Sequence, residues 1–295
     1  MSDKDSSKVY ANSLIINNEK FSEAHFKENF WWTFDNFKES DDLSLNIYRT
    51  TFTNTKLKGK WLDILHPVEY LFYHKFYKKL SKKGNCFGMC LEALYIKENK
   101  SVFIAPLKKN SDEVIDSVNK LPDELLREIK IKQGYQGGLN CIKWFIQLTK
   151  KGVLSHPSYL ISEVSHYINT KNYPIISLMN GLGDAHAVLA YRIDEMVSEG
   201  KCRIYVADPN FAYIKGENPD EQYLEIDREK ETFIYWDGKK IVYQTDKRRI
   251  FIGINIPRGC VFAIPYSLLS SKSKVPNFIS LLSLSWKAFS AFIRF

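Results

Sequence analysis

The chain has few cysteines, and none are arranged in a way that would build a metal centre or a disulfide framework. Cys86, Cys90, Cys141, Cys202 and Cys260 make an odd count without a CxxC pair, and the six histidines fall at no regular ligand spacing. No metal and no cofactor is therefore expected. The N-terminus, MSDKDSSKVYANS, lacks the apolar stretch of a secretory signal. That points to synthesis in a reducing cytoplasm without Sec export, where a thiol stays free to react. No compact run of Arg and Lys interleaved with aromatics marks a nucleic-acid face. The formal net charge of +8, from 42 Lys plus Arg against 34 Asp plus Glu, then reads as a solvated basic surface that favours acidic partners or an anionic membrane. Internal repeats and long low-complexity segments are also missing.

What is present suits one sizeable core: 295 residues, 44% hydrophobic and 14% aromatic. Residues 1 to about 20 are polar and expected to fray. From Phe21 to Leu80 aromatics crowd, notably in Phe30-Trp31-Trp32 and Tyr70-Leu71-Phe72-Tyr73, and read as helices packing beside the main core. Gly84-Asn85 interrupts. Apolar residues then recur at helical spacing from Cys86 to Ile96, which predicts a helix starting at or near Cys86. Further helices are expected over roughly 111–132, 137–151 and 158–170, with Gly137-Gly138 and Gly152 as breakers. After Lys171 the pattern changes to strands at Tyr173–Met179, Ala185–Ile193, Cys202–Ala207, Phe233–Trp236, Lys240–Gln244, Phe251–Ile256 and Cys260–Ile264. Asp237-Gly238 predicts a type I′ hairpin. Helices first and an antiparallel sheet second make an α+β protein, divided into a helical extension over 1–80, a central domain over 81–266 and a C-terminal segment over 267–295.

A nucleophilic thiol needs stabilisation of its anion, a base within reach, and a group that orients the base. At a helix start, Cys86 meets unpaired N–H groups and the positive end of the helix dipole, with Gly84 and Gly88 leaving room for a substrate backbone. Taken singly, a cysteine is a buried small hydrophobe. His186, in Gly181-Leu182-Gly183-Asp184-Ala185-His186, sits where a Gly-rich turn enters an apolar strand; alone it reads equally as a core histidine. Asp208 ends the next strand, which Pro209 stops, so neighbouring strands bring it near His186.

Gly84-Asn85-Cys86-Phe87-Gly88-Met89-Cys90 resembles the nucleophile segment of papain-superfamily peptidases, and His186-Ala187-Val188-Leu189-Ala190 resembles their histidine strand. Asp208-Pro209-Asn210-Phe211 is similar to the acidic motif of the YopT/AvrPphB type within that superfamily, and the order Cys, His, Asp matches. The resemblance spans roughly residues 84 to 212 and rests on these three short motifs. It implies a papain-like fold and a Cys86-His186-Asp208 triad that cleaves protein substrates through a thioester. It also implies a bacterial effector, delivered into a host cell by specialised secretion machinery. The same parts serve deamidases, transglutaminases and acyltransferases, and a catalytically silent binding or membrane-adaptor module is the reading from a different class. Two departures stand out. The positions where the family places an oxyanion-hole Gln or Asn are here Leu80 and Ser81, which leaves Asn85, Gln133 or Gln136 as donors, Asn85 being the choice. The stretch Asp194–Gly200 lengthens the link between His186 and Asp208 and reads as a surface loop.

The C-terminal run Phe278–Phe295, FISLLSLSWKAFSAFIRF, projects as an amphipathic helix. Ser280, Ser283, Lys287, Ser290 and Arg294 share a narrow face, and Leu281, Leu282, Trp286, Phe289, Phe292 and Ile293 fill a wide one. It suits either docking on the protein's own core or lying in a membrane interface. Pro276 and the Ser/Lys-rich stretch Ser270–Lys274 set it apart.

Overall fold

In the computed structural model, residues 26–103, 121–181, 184–196, 200–214, 221–251 and 255–276 are described. Seven α-helices occur among them: α1 (Phe26–Phe30), α2 (Leu45–Thr51), α3 (Pro67–Lys75), α4 (Cys86–Lys97), α5 (Asp123–Gln133), α6 (Leu139–Lys150) and α7 (Tyr159–Asn169). Eight strands follow: β1 (Pro174–Gly181), β2 (Asp184–Met196), β3 (Lys201–Ala207), β4 (Tyr223–Asp227), β5 (Thr232–Trp236), β6 (Ile241–Gln244), β7 (Asp246–Phe251) and β8 (Asn255–Pro265). They form a sheet in the order β6-β5-β4-β3-β2-β1-β8-β7, and every pairing is antiparallel. The protein is thus α+β. The sheet curls: Asn180 of β1 donates its Nδ2 to the Val242 carbonyl of β6 at 3.4 Å, although four strands separate the two in sheet order.

Side chains alternate across a strand, and here both faces are covered, so the central strands are apolar almost without interruption. Ile175, Leu189, Tyr191, Phe262 and Ile264 face the main helical layer, joining Trp31, Phe72, Met89, Ile129 and Phe145 in one core. Ile176, Leu178, Val188, Ala190 and Val261 face the other way, onto Leu160, Val164 and Ile168 of α7.

Residues 26–80 are part of the larger core rather than an attachment beside it: Phe26, Trp31, Trp32, Phe34, Tyr48 and Phe72 are all buried there. The backbone from Trp31 to Asn36 is a strap. Trp32 Nε1 donates to the Met89 carbonyl of α4 at 3.1 Å, Asn36 N–H to the Pro209 carbonyl at 2.6 Å, and Tyr213 N–H to the Trp32 carbonyl at 2.7 Å.

Helices α6 and α7 lie where periodicity puts them. The strand β4 was not anticipated, because Glu225 and Asp227 weaken its apolar signal even though its burial alternates strictly. Asp194–Met196 belong to the β2–β3 ladder, Asp194 opposite Arg203 and Met196 opposite Lys201, rather than to a loop. Asp237 keeps a negative φ, so the β5–β6 turn is not type I′; its Oδ1 instead accepts the N–H groups of Lys239 and Lys240, both at 2.8 Å, and Gly238 alone has positive φ, at 97°. The expectations for residues 1 to 20, for the first part of 111–132, and for Phe278–Phe295 lie outside the described residues.

Gly88 leaves room for a helix rather than for substrate. A Cβ there would stand 2.2 Å from the Ile129 carbonyl oxygen and 2.9 Å from the Gln133 nitrogen of α5, so the glycine sets the α4–α5 approach. Gly88→Ala is expected to lower the unfolding free energy by about 1–3 kcal/mol, read as a lower denaturant midpoint; an unchanged midpoint would show that the two helices separate freely.

Candidate active site

The first helical residue of α4 is Cys86, preceded by Asn85 as N-cap and by Gly84 at φ +135°. Only glycine fits comfortably at Gly84, since a Cβ would meet Asn36 Nδ2 at 2.6 Å. At that first position the Cys86 N–H has no intrahelical acceptor. Of the five free thiols, Cys86 alone lines the cleft described below. Cys90 lies one turn further, its thiol donating to the Ala187 carbonyl at 3.6 Å, and burial together with the neighbouring Cys86 and Asp208 pushes it well above the ordinary thiol range. Burial alone raises Cys141 and Cys260 to about 12.

His186 enters on β2, opposite Leu178 of β1 and on the same face as Val188 and Ala190. Asp208 directly follows β3. The two meet at 2.7 Å between His186 Nε2 and Asp208 Oδ1, both buried. Asp208 is completed by the Asn210 N–H at 2.8 Å on Oδ1 and by the Tyr235 hydroxyl, which donates to Oδ2. An ionised carboxylate only accepts, so Nε2 carries a proton toward Asp208, and the other ring nitrogen is left for the contact with Cys86. Asn210 Nδ2 lies 3.4 Å from the same Nε2, and the Tyr243 ring stacks at 6.4 Å.

Burial works against charge on both partners. For His186 burial lowers the pKa, but the Asp208 carboxylate, its hydrogen bond and the contact with Cys86 outweigh it and lift the imidazole to about 10. For Asp208 burial raises the pKa, and His186, Tyr235 and the Asn210 N–H reverse this and hold it below the usual carboxylate value. The pair is therefore imidazolium and carboxylate across neutral pH.

Cys86, His186 and Asp208 open on one cavity of about 660 Å³, with Asn36, Gly84, Asn210, Phe211, Tyr235 and Tyr243 among its walls. Lys38, Lys82, Lys83 and Lys240 stand exposed around it, a basic rim on which Lys82 is held by Asp42 at 2.8 Å. A second cavity of about 500 Å³ shares Asn210, Phe211 and Asp237 and extends the groove past Trp31 and Tyr213.

The expected oxyanion donors are placed elsewhere. Asn85 is fully buried; its Oδ1 accepts the Ser81 hydroxyl at 2.8 Å and its Nδ2 donates to the Phe37 carbonyl at 3.1 Å, so it caps the preceding turn and does not line the cleft. Gln133 spans the start of α4, accepting the Gly88 N–H at 2.8 Å and donating to the Gly84 carbonyl at 3.1 Å. Gln136 is buried with neither side-chain atom hydrogen-bonded, and it too is absent from the cleft wall.

Asn36, which sequence reasoning missed, does line it. Its Oδ1 accepts the Asn85 N–H at 2.7 Å, a donor that fixes which way the amide faces. Its Nδ2 consequently points to Asn210 Oδ1, at 3.1 Å, on the cleft side. From the sequence Tyr235 likewise reads only as a strand residue. No local signal marks either one, since their partners lie 49, 174 and 27 residues away.

Comparison with family models, with curated proteins and with solved structures gives no match.

The buried pair makes stability depend on pH. The raised imidazole contributes stability that is complete below its ordinary value of 6.5 and is lost as pH climbs through about 10. Asp208→Asn removes the cause of the rise. The stability difference between wild type and variant should therefore shrink between about pH 6.5 and about pH 10, measured by chemical denaturation at each pH; a difference constant across that window contradicts the charged pair.

Proposed function

We propose that this chain is a cysteine hydrolase of papain-like layout that cleaves peptide bonds in protein substrates. The observation that carries the reading is the His186 ring held between the Asp208 carboxylate and the Cys86 thiol in a solvent-reachable groove. The groove continues beyond the thiol, as an extended chain requires. Its three motifs, in the order Cys, His, Asp, agree with the same reading.

In this mechanism the Cys86 proton already rests on His186 Nδ1, which makes a thiolate–imidazolium pair, and the thiolate attacks the substrate carbonyl. The Cys86 N–H and Asn36 Nδ2 donate to the developing oxyanion. The imidazolium, stabilised by Asp208, protonates the leaving amine, and water then enters through the same base to release the acyl group as a carboxylate. Asn85, Gln133 and Tyr235 act through other residues and are positioning residues.

Iodoacetamide is expected to alkylate Cys86 ahead of the other four cysteines, and His186→Ala to slow that reaction; equal alkylation of all five overturns the reading. Mass spectrometry of a treated lysate should find new N-termini that Cys86→Ala abolishes. A mass gain on glutamine without new ends would assign deamidation instead. With a substrate so identified, His186→Ala is expected to cost roughly 10²–10⁴-fold in kcat, and Asn36→Ala on the order of 10²–10³-fold with Cys86 alkylation retained. An Asn36→Ala enzyme with full kcat would remove Asn36 from the oxyanion site.

A further inference from the structure

The short 3-10 helix Trp61–Leu65, just ahead of α3, is built inside out. Trp61, Leu62, Ile64 and Leu65 are 81%, 44%, 68% and 67% exposed, whereas the single acid, Asp63, is turned in. Its carboxylate accepts the Lys58 N–H at 2.8 Å and the Gly59 N–H at 2.7 Å, which pins the loop so that its apolar side chains face outward. A display held in place this way, with a tryptophan at its tip, marks an interaction surface.

Charge says what it meets. From Asn54 to Lys75 the chain carries Lys56, Lys58, Lys60 and Lys75, all exposed. The same stretch has two acids, Asp63 and Glu69, both buried; Glu69 accepts the Lys56 N–H at 2.9 Å and the Tyr48 hydroxyl at 3.1 Å. Within this stretch the exposed charge is thus purely basic, beside exposed apolar side chains. A second copy would set lysines against lysines. The chain's own segment 278–295 carries Lys287 and Arg294 and no acid, so it would bring like charge as well. An anionic bilayer satisfies every part: the headgroup layer takes the indole, the acyl boundary takes Ile64 and Leu65, and lipid phosphates and carboxylates take the lysines.

We propose that Trp61–Leu65 and the flanking lysines form a docking surface for anionic lipid bilayers, separate from the cleft. Lys56 and Leu65 also line a small cavity with Val275 and Pro276.

The test is co-sedimentation of the full chain with vesicles of phosphatidylcholine alone or mixed with phosphatidylserine. Wild type is expected to prefer the mixed vesicles. Trp61→Glu with Ile64→Glu should lower binding about tenfold or more. Lys58→Gln with Lys60→Gln should lower binding to mixed vesicles on the order of fivefold per lysine, leaving binding to phosphatidylcholine unchanged. Neither pair should alter the thermal midpoint or Cys86 alkylation. If the glutamate pair does shift the midpoint, the lysine pair carries the test. The proposal is overturned if wild type ignores phosphatidylserine, if both pairs sediment like wild type, or if binding is lost only in Trp286→Glu with Phe289→Glu. Concentration-dependent self-association abolished by the glutamate pair, without vesicle binding, would assign the face to a second copy.

Discussion

The buried charge pair between His186 and Asp208 is the constraint around which this end of the molecule is arranged. Removing two charges from water is costly, and their mutual attraction offsets this only when the remaining hydrogen-bonding capacity is filled. Asp208 receives donors from His186, Asn210 and Tyr235, contributed by β2, the loop after β3, and β5. The curl of the sheet brings these elements together: it carries β5 and β6 over the His186 face, where Tyr235 and Tyr243 shut off the surrounding space. A flat sheet of the same strand order would leave the carboxylate short of a partner.

The pair is useful only if Cys86 stands in front of it, and that alignment comes from the first third of the chain. Asn36 holds the Asn85 N–H on one side and Asn210 on the other, while its own N–H binds the Pro209 carbonyl. Trp32 ties the same strap to Met89 on α4. One stretch of extended backbone therefore sets the spacing between α4 and the loop that follows β3. It also places the Asn36 amide in the wall of the cleft that Cys86 lines.

Much of this was legible in the residues themselves, and the part that was not has a common cause. A helix beginning at Cys86 follows from Gly84-Asn85 and the apolar spacing after it; His186 and Asp208 follow from a glycine-rich turn entering a strand and a proline ending one. Each of these signals is local. Asn36 and Tyr235 have no such signal, because what they do depends on partners in distant elements. Asn85, Gln133 and Gln136 are the donor candidates the sequence offers, yet the Asn85 and Gln133 amides are consumed in fixing the backbone around Gly84 and Gln136 lies off the cleft. Competing local chemistry explains two further differences. The Asp237 carboxylate caps its own turn, so the backbone never adopts the I′ form. In β4 alternation was present, but two acids on the half-exposed face obscured it.

The strap has a consequence for the integrity of the chain. Asn36 and Cys86 line the same cleft but are separated by a long run of sequence that includes the lysine-rich 54–60 loop, so a single nick there would leave two fragments, each holding half of the candidate site. Neither fragment alone would align a thiol with its base. Reassociation would restore the alignment, which would make the reactivity of one cysteine a direct measure of whether the two halves of this fold have found each other.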